Sequence, residues 1–233
     1  MTILKDHNAL STKRQCEKKS TLLNKAERLS VMRALQAQNP HPQSELIFHN
    51  PFELICAVVL SAQATDASVN KATPALFKAA PNPHAMSTLG VLGIEPYIKS
   101  IGLWRNKAKN LQLLSQILDE KYNSIVPSSY EELIKLPGVG SKTAKVVLNV
   151  AFKQPYIAVD THIFRVCNRT GLCIGKTVKD VENNLPSLIE PEFLQDAHHY
   201  ILLHGRYVCK AQKPDCTNCV INKWCKSFPL DVK

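Results

Sequence analysis

No stretch of the 233 residues is apolar for the roughly 18 to 20 residues that a membrane-spanning helix needs. The N-terminus, MTILKDHNALSTKRQCEKKST, lacks the apolar region of a secretory leader. It is polar, has no period, and is basic at Lys13, Arg14, Lys18 and Lys19, so residues 1–23 read as a disordered tail. Two further signals are missing: a series of alternating apolar and polar residues, which would announce a sheet, and any internal repeat of fixed period. Membrane-spanning, β-rich and repeat architectures are thereby excluded. What remains is an all-α globular chain, expected to be soluble and intracellular.

Charge and cysteine come next. Lys and Arg outnumber Asp and Glu by 29 to 19, a net charge of +10, which favours a polyanionic partner without requiring one. Of eight cysteines, Cys16, Cys56, Cys167 and Cys173 are scattered, whereas Cys209, Cys216, Cys219 and Cys225 form a C-x6-C-x2-C-x5-C cluster. Without a secretion signal such a cluster argues for metal rather than disulfides. Zinc sites usually show two C-x2-C pairs and this cluster has one, so spacing favours iron–sulfur while leaving zinc open.

Helix signals run through the chain. Asn24-Lys-Ala-Glu27 has the form of a capping box, and Leu29, Met32 and Leu35 follow on one face until Asn39-Pro40. Asn50-Pro51 with Glu53 starts a second helix whose body, LICAVVLSA, is apolar on every side. Further helices are predicted from Asp66 towards Lys78, bent or restarted at Pro74, from Ala108 to Tyr122, and from a Ser129–Glu132 capping box to Leu136. Thr143 to Phe152, Thr161 to Arg169, Val178 to Leu188 and Glu192 to Tyr207 complete the set.

The segment Leu136-Pro-Gly-Val-Gly-Ser-Lys-Thr-Ala joins two of these helices through Gly138 and Gly140. Glycine permits positive φ and close backbone approach, and the free N–H groups of the next helix suit a phosphate. The segment therefore reads as a helix-hairpin-helix gripping a DNA backbone, or as a plain helix turn. A P-loop fails, because Ser141 intervenes before Lys142 and no strand precedes it. Lys142 on the first helical turn is either a solvated charge or, with partial burial beside the positive dipole, a nucleophilic amine. Asp160 in VDTHIFR is well placed as an N-cap and also as a carboxylate beside Lys142. His162 reads equally as a packed first-turn residue.

Taken together, LSAQATD (60–66), LPGVGSKTA, VDTHIFRVCNR and the four-cysteine spacing resemble the endonuclease III family, in its order, from about Asn24 to Cys225. The resemblance implies two helical domains with DNA in the cleft: a barrel over 44–154 bearing the hairpin, and a second domain from 24–43 plus 155–233 holding Asp160 and a [4Fe–4S] cluster on Cys209, Cys216, Cys219 and Cys225. It implies that Lys142 attacks C1′ of a damaged nucleotide to form a Schiff base, that Asp160 assists, and that β-elimination cuts the strand. Gln63 is expected to fill the gap left by the extruded nucleotide, with Ile101 and Leu103 wedging into the opposite strand. Gly138, Gly140, His162 and Lys213 complete the expected DNA contacts, although Gln212 and Asp215 make the cluster loop less basic than is usual in the family.

The adenine-glycosylase branch lacks the catalytic lysine, carries a glutamate near the Gln-containing motif and has a long C-terminal domain. Here Lys142 is present, residues 54 to 62 hold no acid, and the chain ends soon after Cys225. The expectation is a bifunctional glycosylase and abasic-site lyase, monomeric, acting on double-stranded DNA with oxidised pyrimidines or abasic sites, in the bacterial cytoplasm at the nucleoid and with no membrane partner. A non-catalytic DNA clamp and a redox protein using the cluster are the rival classes.

Overall fold

The computed structural model describes residues 21–229; residues 1–20, and with them most of the expected tail and Cys16, lie outside the described part. Among the described residues, regular structure consists of α-helices and one 3₁₀ turn, so the chain is all-α. Helix α1 (Lys25–Gln38) opens on the reciprocal cap read from its sequence. Asn24 Oδ1 accepts from Glu27 N at 2.9 Å, and the Glu27 carboxylate accepts from Asn24 N at 2.8 Å. Helix α2 (Pro51–Ser61) starts from Asn50, which accepts from Glu53 N at 2.9 Å. Every side chain from Phe52 to Leu60 is buried, as its all-round apolar pattern requires. Glu53 tolerates burial because its Oε2 accepts from the backbone N of His49 and meets the His49 ring, both at 2.8 Å.

Helix α3 (Asp66–Ala79) runs unbroken through Pro74, since buried Leu76 and Phe77 carry the packing past it. Helix α4 (Pro83–Ile98) was not anticipated. Its start, Asn82-Pro83, repeats the cap chemistry of α2, but Gly90 at φ 68°, ψ 171° kinks it and Pro96 lies inside it, so no clean period survives. Helix α5 (Trp104–Tyr122) begins four residues before the expected Ala108, from Leu103 in the left-handed region. Helix α6 (Tyr130–Leu133) shows only half of the expected capping box. The Glu132 carboxylate turns to the Tyr122 hydroxyl and to Lys135 Nζ at 2.6 Å instead of reaching back. Helices α7 (Ser141–Phe152), α8 (Thr161–Thr170), α9 (Val178–Leu188) and α10 (Leu194–Tyr207) follow, the last after a 3₁₀ turn over Pro191–Phe193.

Two hydrophobic cores form. One gathers α2 to α7 around Leu54, Ile55, Leu76, Ile94, Leu111 and Leu148. The other gathers α1 and α8 to α10 around Met32, Leu35, Ile163, Val166, Leu185 and Ile201. Polar ties join the two. Asn149 on α7 donates to the Gln195 carbonyl at 2.8 Å, and Gln195 on α10 donates back to the Asn149 carbonyl at 3.1 Å. Lys145 on α7 pairs with Glu182 on α9 at 2.8 Å, and Arg206 on α10 pairs with Glu45 and with Asp66, the latter at 2.7 Å. A cleft between the cores therefore has walls fixed on both sides.

Candidate active site

Both members of the expected catalytic pair come from helix starts facing this cleft. Gly140 caps α7 without a side-chain bond, leaving the first-turn N–H groups free, and Lys142 lies on that turn. Asp160 caps α8, with Oδ1 accepting from the backbone N of His162 at 2.9 Å and of Ile163 at 2.8 Å. Its other oxygen, Oδ2, stands 3.8 Å from Lys142 Nζ. The carboxylate thus divides its two jobs between its two oxygens. Of the two members, Lys142 is the more open: its side chain is 59% exposed, against 12% for Asp160. Lys142 is held by the neighbouring carboxylate rather than by an apolar sleeve.

The pair opens into a cavity of about 340 Å³ whose wall includes Gln63, Asp66, His198 and Arg206. Burial pushes the Asp66 carboxyl above the usual range, opposed by the charge of Lys142. Burial depresses His198 to about 3, helped by His199 and by Lys142, so its ring is neutral. Of this wall the sequence pointed to Gln63 but not to Asp66, His198 or Arg206. Asp66 ends the LSAQATD motif and could have been flagged there, whereas nothing local marks His198 or Arg206.

The expected DNA-facing residues divide. Gln63 is exposed at the cavity rim with φ 54°, and Leu103 is 58% exposed with φ 60°. A positive φ at a residue other than glycine is strained, and strain of this kind gathers at functional loops. The two loops are adjacent, since a Cβ on Gly102 would lie 3.7 Å from the Gln63 carbonyl oxygen. Ile101 requires a correction: at 1% exposure it belongs to the first core. It anchors the loop that presents Leu103 and cannot itself reach an opposite strand. Gly138 has the positive φ expected of the hairpin, 77°, with Asn110 packed where a Cβ would be; Gly140 has φ −87° and open space there. His162 is half-buried with Nδ1 3.2 Å from Arg165 Nη2, and Lys213 is exposed in the cysteine loop, outside the cavity wall.

Cys209, Cys216, Cys219 and Cys225, all half-buried, line one hollow beside α8 and α10. Arg169 ties this loop to α8 by donating to the carbonyls of Lys210 at 2.6 Å and Ala211 at 3.0 Å. Burial pushes the Cys219 and Cys225 thiols up, and the neighbouring cysteines add to this. Among the described residues, no three His, Cys, Asp or Glu side chains converge closely enough to hold a single metal ion. The four sulfurs are ranged around a hollow instead.

A helical cleft with a hairpin lysine, a cap aspartate and a strained rim defines a helix-hairpin-helix protein of the base-excision type. Residues 56–191 match the family described as HhH-GPD superfamily base excision DNA repair protein. Endonuclease III of Escherichia coli strain K12 is 54% identical over 204 residues, covering 88% of this chain and 97% of that relative. Endonuclease III of Haemophilus influenzae is 52% identical with the same coverage. A trapped endonuclease III–DNA covalent intermediate superimposes with a TM-score of 0.81 at 46% identity, covering 88% of this chain and 96% of that one. A non-covalent endonuclease III–DNA complex gives 0.82 at 45% identity, with the same coverage. The chain belongs to the HhH-GPD superfamily and, within it, to the endonuclease III family.

Proposed function

We propose that this chain is a bifunctional base-excision enzyme that removes oxidised pyrimidines from double-stranded DNA and cleaves the resulting abasic site through a lysine Schiff base. The observation that carries the reading is the approach of Lys142 Nζ to Asp160 Oδ2 at 3.8 Å inside a cavity large enough for an extruded nucleotide. The Lys142 amine attacks C1′ and the glycosidic electron pair leaves with the base. The amine then sheds its proton and the sugar ring opens to give the imine. Loss of a C2′ proton and rupture of the C3′–O bond complete β-elimination. Asp160 Oδ2 is the nearby acceptor for protons and the counter-charge for the cationic sugar, while the cap bonds on Oδ1 hold it in place. The distance is that of an ion pair rather than a hydrogen bond, as is common before substrate closes such a site.

Gln63 and Leu103, exposed on adjacent strained loops, take the positions of gap filler and wedge. The free N–H groups after Gly140 grip phosphate, and Lys213 adds charge from the cysteine loop. Cys209, Cys216, Cys219 and Cys225 hold a [4Fe–4S] cluster. An all-thiolate donor set lining one hollow, with a single C-x2-C pair, suits an iron–sulfur group better than a zinc ion. Ile221, fully buried, and Trp224 already seat this loop on the second core, and a cluster bound there would add a cross-link among the four cysteines. The two hydrophobic cores support a division into a barrel over 44–154 and a second domain of 24–43 plus 155–233, with the active site between them. A DNA substrate and bacterial relatives support a nucleoid-associated place in the cytoplasm.

Borohydride trapping tests the reading. On a duplex with one thymine glycol or abasic site, the wild type gives a covalent adduct and Lys142→Ala gives none. An adduct of equal yield from Lys142→Ala would remove Lys142 as nucleophile; no adduct from either, with DNA binding intact, would reduce the protein to a monofunctional glycosylase or a clamp.

A further inference from the structure

Helix α10 supplies one wall of the cavity. His198, Leu202 and Arg206 recur at spacing four, with His199 and Leu203 beside them, so the wall is apolar with polar residues at its ends. His198 is unusual within it. The side chain is buried, the ring of His199 meets it edge-on at 4.9 Å, and Nδ1 is enclosed with no protein partner. Buried N–H groups without an acceptor are rarer than buried acceptors without a donor. A neutral ring therefore keeps its proton on Nε2. His198 lines the same cavity as Lys142, and its ring carries one N–H donor without a partner on the opposite nitrogen.

We propose that His198 is a base-contacting residue, donating from Nε2 to a carbonyl oxygen of the extruded pyrimidine while Lys142 attacks C1′. When the C1′–N1 bond breaks, its electron pair stays with the base and spreads onto the C2 carbonyl oxygen, the one conjugated with N1 once the C5–C6 bond is saturated. A fixed donor at that oxygen stabilises the charge where it develops. The N–C1′ bond forms as the glycosidic bond breaks, and the proton released by the amine ends on the departing base, so the step needs no further reagent. Oxidised pyrimidines keep their carbonyl oxygens after losing aromaticity, and they suit such a donor. An abasic site has no base to contact. The role therefore belongs to base removal and not to strand cleavage, and it rests on the base-excision reading of the site.

That difference gives the test. Single-turnover rates are measured on two duplexes of one sequence, one carrying thymine glycol and one a preformed abasic site. The proteins are the wild type, His198→Phe, which keeps the ring volume, and His198→Gln, which keeps a donor. For His198→Phe the ratio of base release to abasic-strand cleavage should fall about tenfold or more, the scale of a lost transition-state donor. His198→Gln should recover most of that loss. An unchanged ratio in His198→Phe, abasic cleavage falling in step with base release, or a glutamine protein as impaired as the phenylalanine one would each overturn the proposal. Should the phenylalanine protein fail to accumulate, His198→Leu is read in the same way. A wild type inactive on both duplexes would instead overturn the base-excision reading itself.

Discussion

At the scale of single residues, Asp160 separates folding from chemistry because each carboxylate oxygen has its own partner. Asparagine is as good an N-cap as aspartate. Asp160→Asn should therefore melt close to the wild type while base release falls by about a hundredfold or more, the usual range for a lost acid–base group. Asp160→Ala should show the same kinetic loss and, with the cap gone, lose a further ~1 kcal/mol of stability. Thermal melts beside single-turnover assays check both; equal melting of the two variants would mean that the cap contributes nothing. Of this pair, the cap role of Asp160 was readable because cap chemistry is local. The depth at which Lys142 sits was not, because it depends on α8 and α10, which follow later in the chain.

At the scale of elements, the hairpin's two glycines do different work. Gly138 needs its φ of 77° and has Asn110 where a Cβ would go, at 3.0 Å; Gly140 has an ordinary φ and open space. Gly138→Ala should cost about 1 to 2 kcal/mol through the left-handed backbone alone. Gly140→Ala should fold normally yet bind duplex DNA more weakly, because its methyl group occupies the approach to the free N–H groups of α7. Denaturant titrations and fluorescence anisotropy would separate the two, and a Gly140→Ala protein with full affinity would move the phosphate contact elsewhere. The sequence motif named both glycines alike; only the backbone geometry distinguishes them. The same holds for Ile101 and Leu103. They stand two residues apart in one motif, yet the turn buries one and exposes the other.

At the scale of the whole molecule, charge and burial set the response to solution conditions. With a net charge of +10 and a backbone clamp, DNA affinity should fall about a hundredfold or more between ~50 and ~200 mM salt. A flat salt response would remove the phosphate clamp. Acid should also destabilise the fold through His198. Its folded value, about 3, lies below the ordinary 6.5, so between these limits the unfolded chain binds the extra proton and stability rises with pH. Stability is therefore lost as pH falls below about 6.5, and His199, depressed in the same direction, adds to the loss. Melting curves from pH 7.5 to 5 should slope less steeply for His198→Gln than for the wild type, and identical slopes would count against this account. Cys216→Ser should yield colourless, poorly folded protein if the cluster staples the C-terminal loop; a stable, fully active colourless protein would deny it that role.

The sequence by itself determined whatever depends on near neighbours. The caps at Asn24, Asn50 and Asp160, the all-α class, the positive φ at Gly138 and the clustering of four cysteines all follow from chemistry within a few residues. The length of α5, the passage of α3 through Pro74 and the existence of α4 were settled by packing, where burial outweighs a missing cap, a proline or a glycine kink. Only the tertiary structure set Asp66 and Arg206 in one wall with the expected pair, Lys142 and Asp160, and enclosed His198 among them. A site built between two cores takes each wall from a different part of the chain, and no local pattern records which residues will face one another across it.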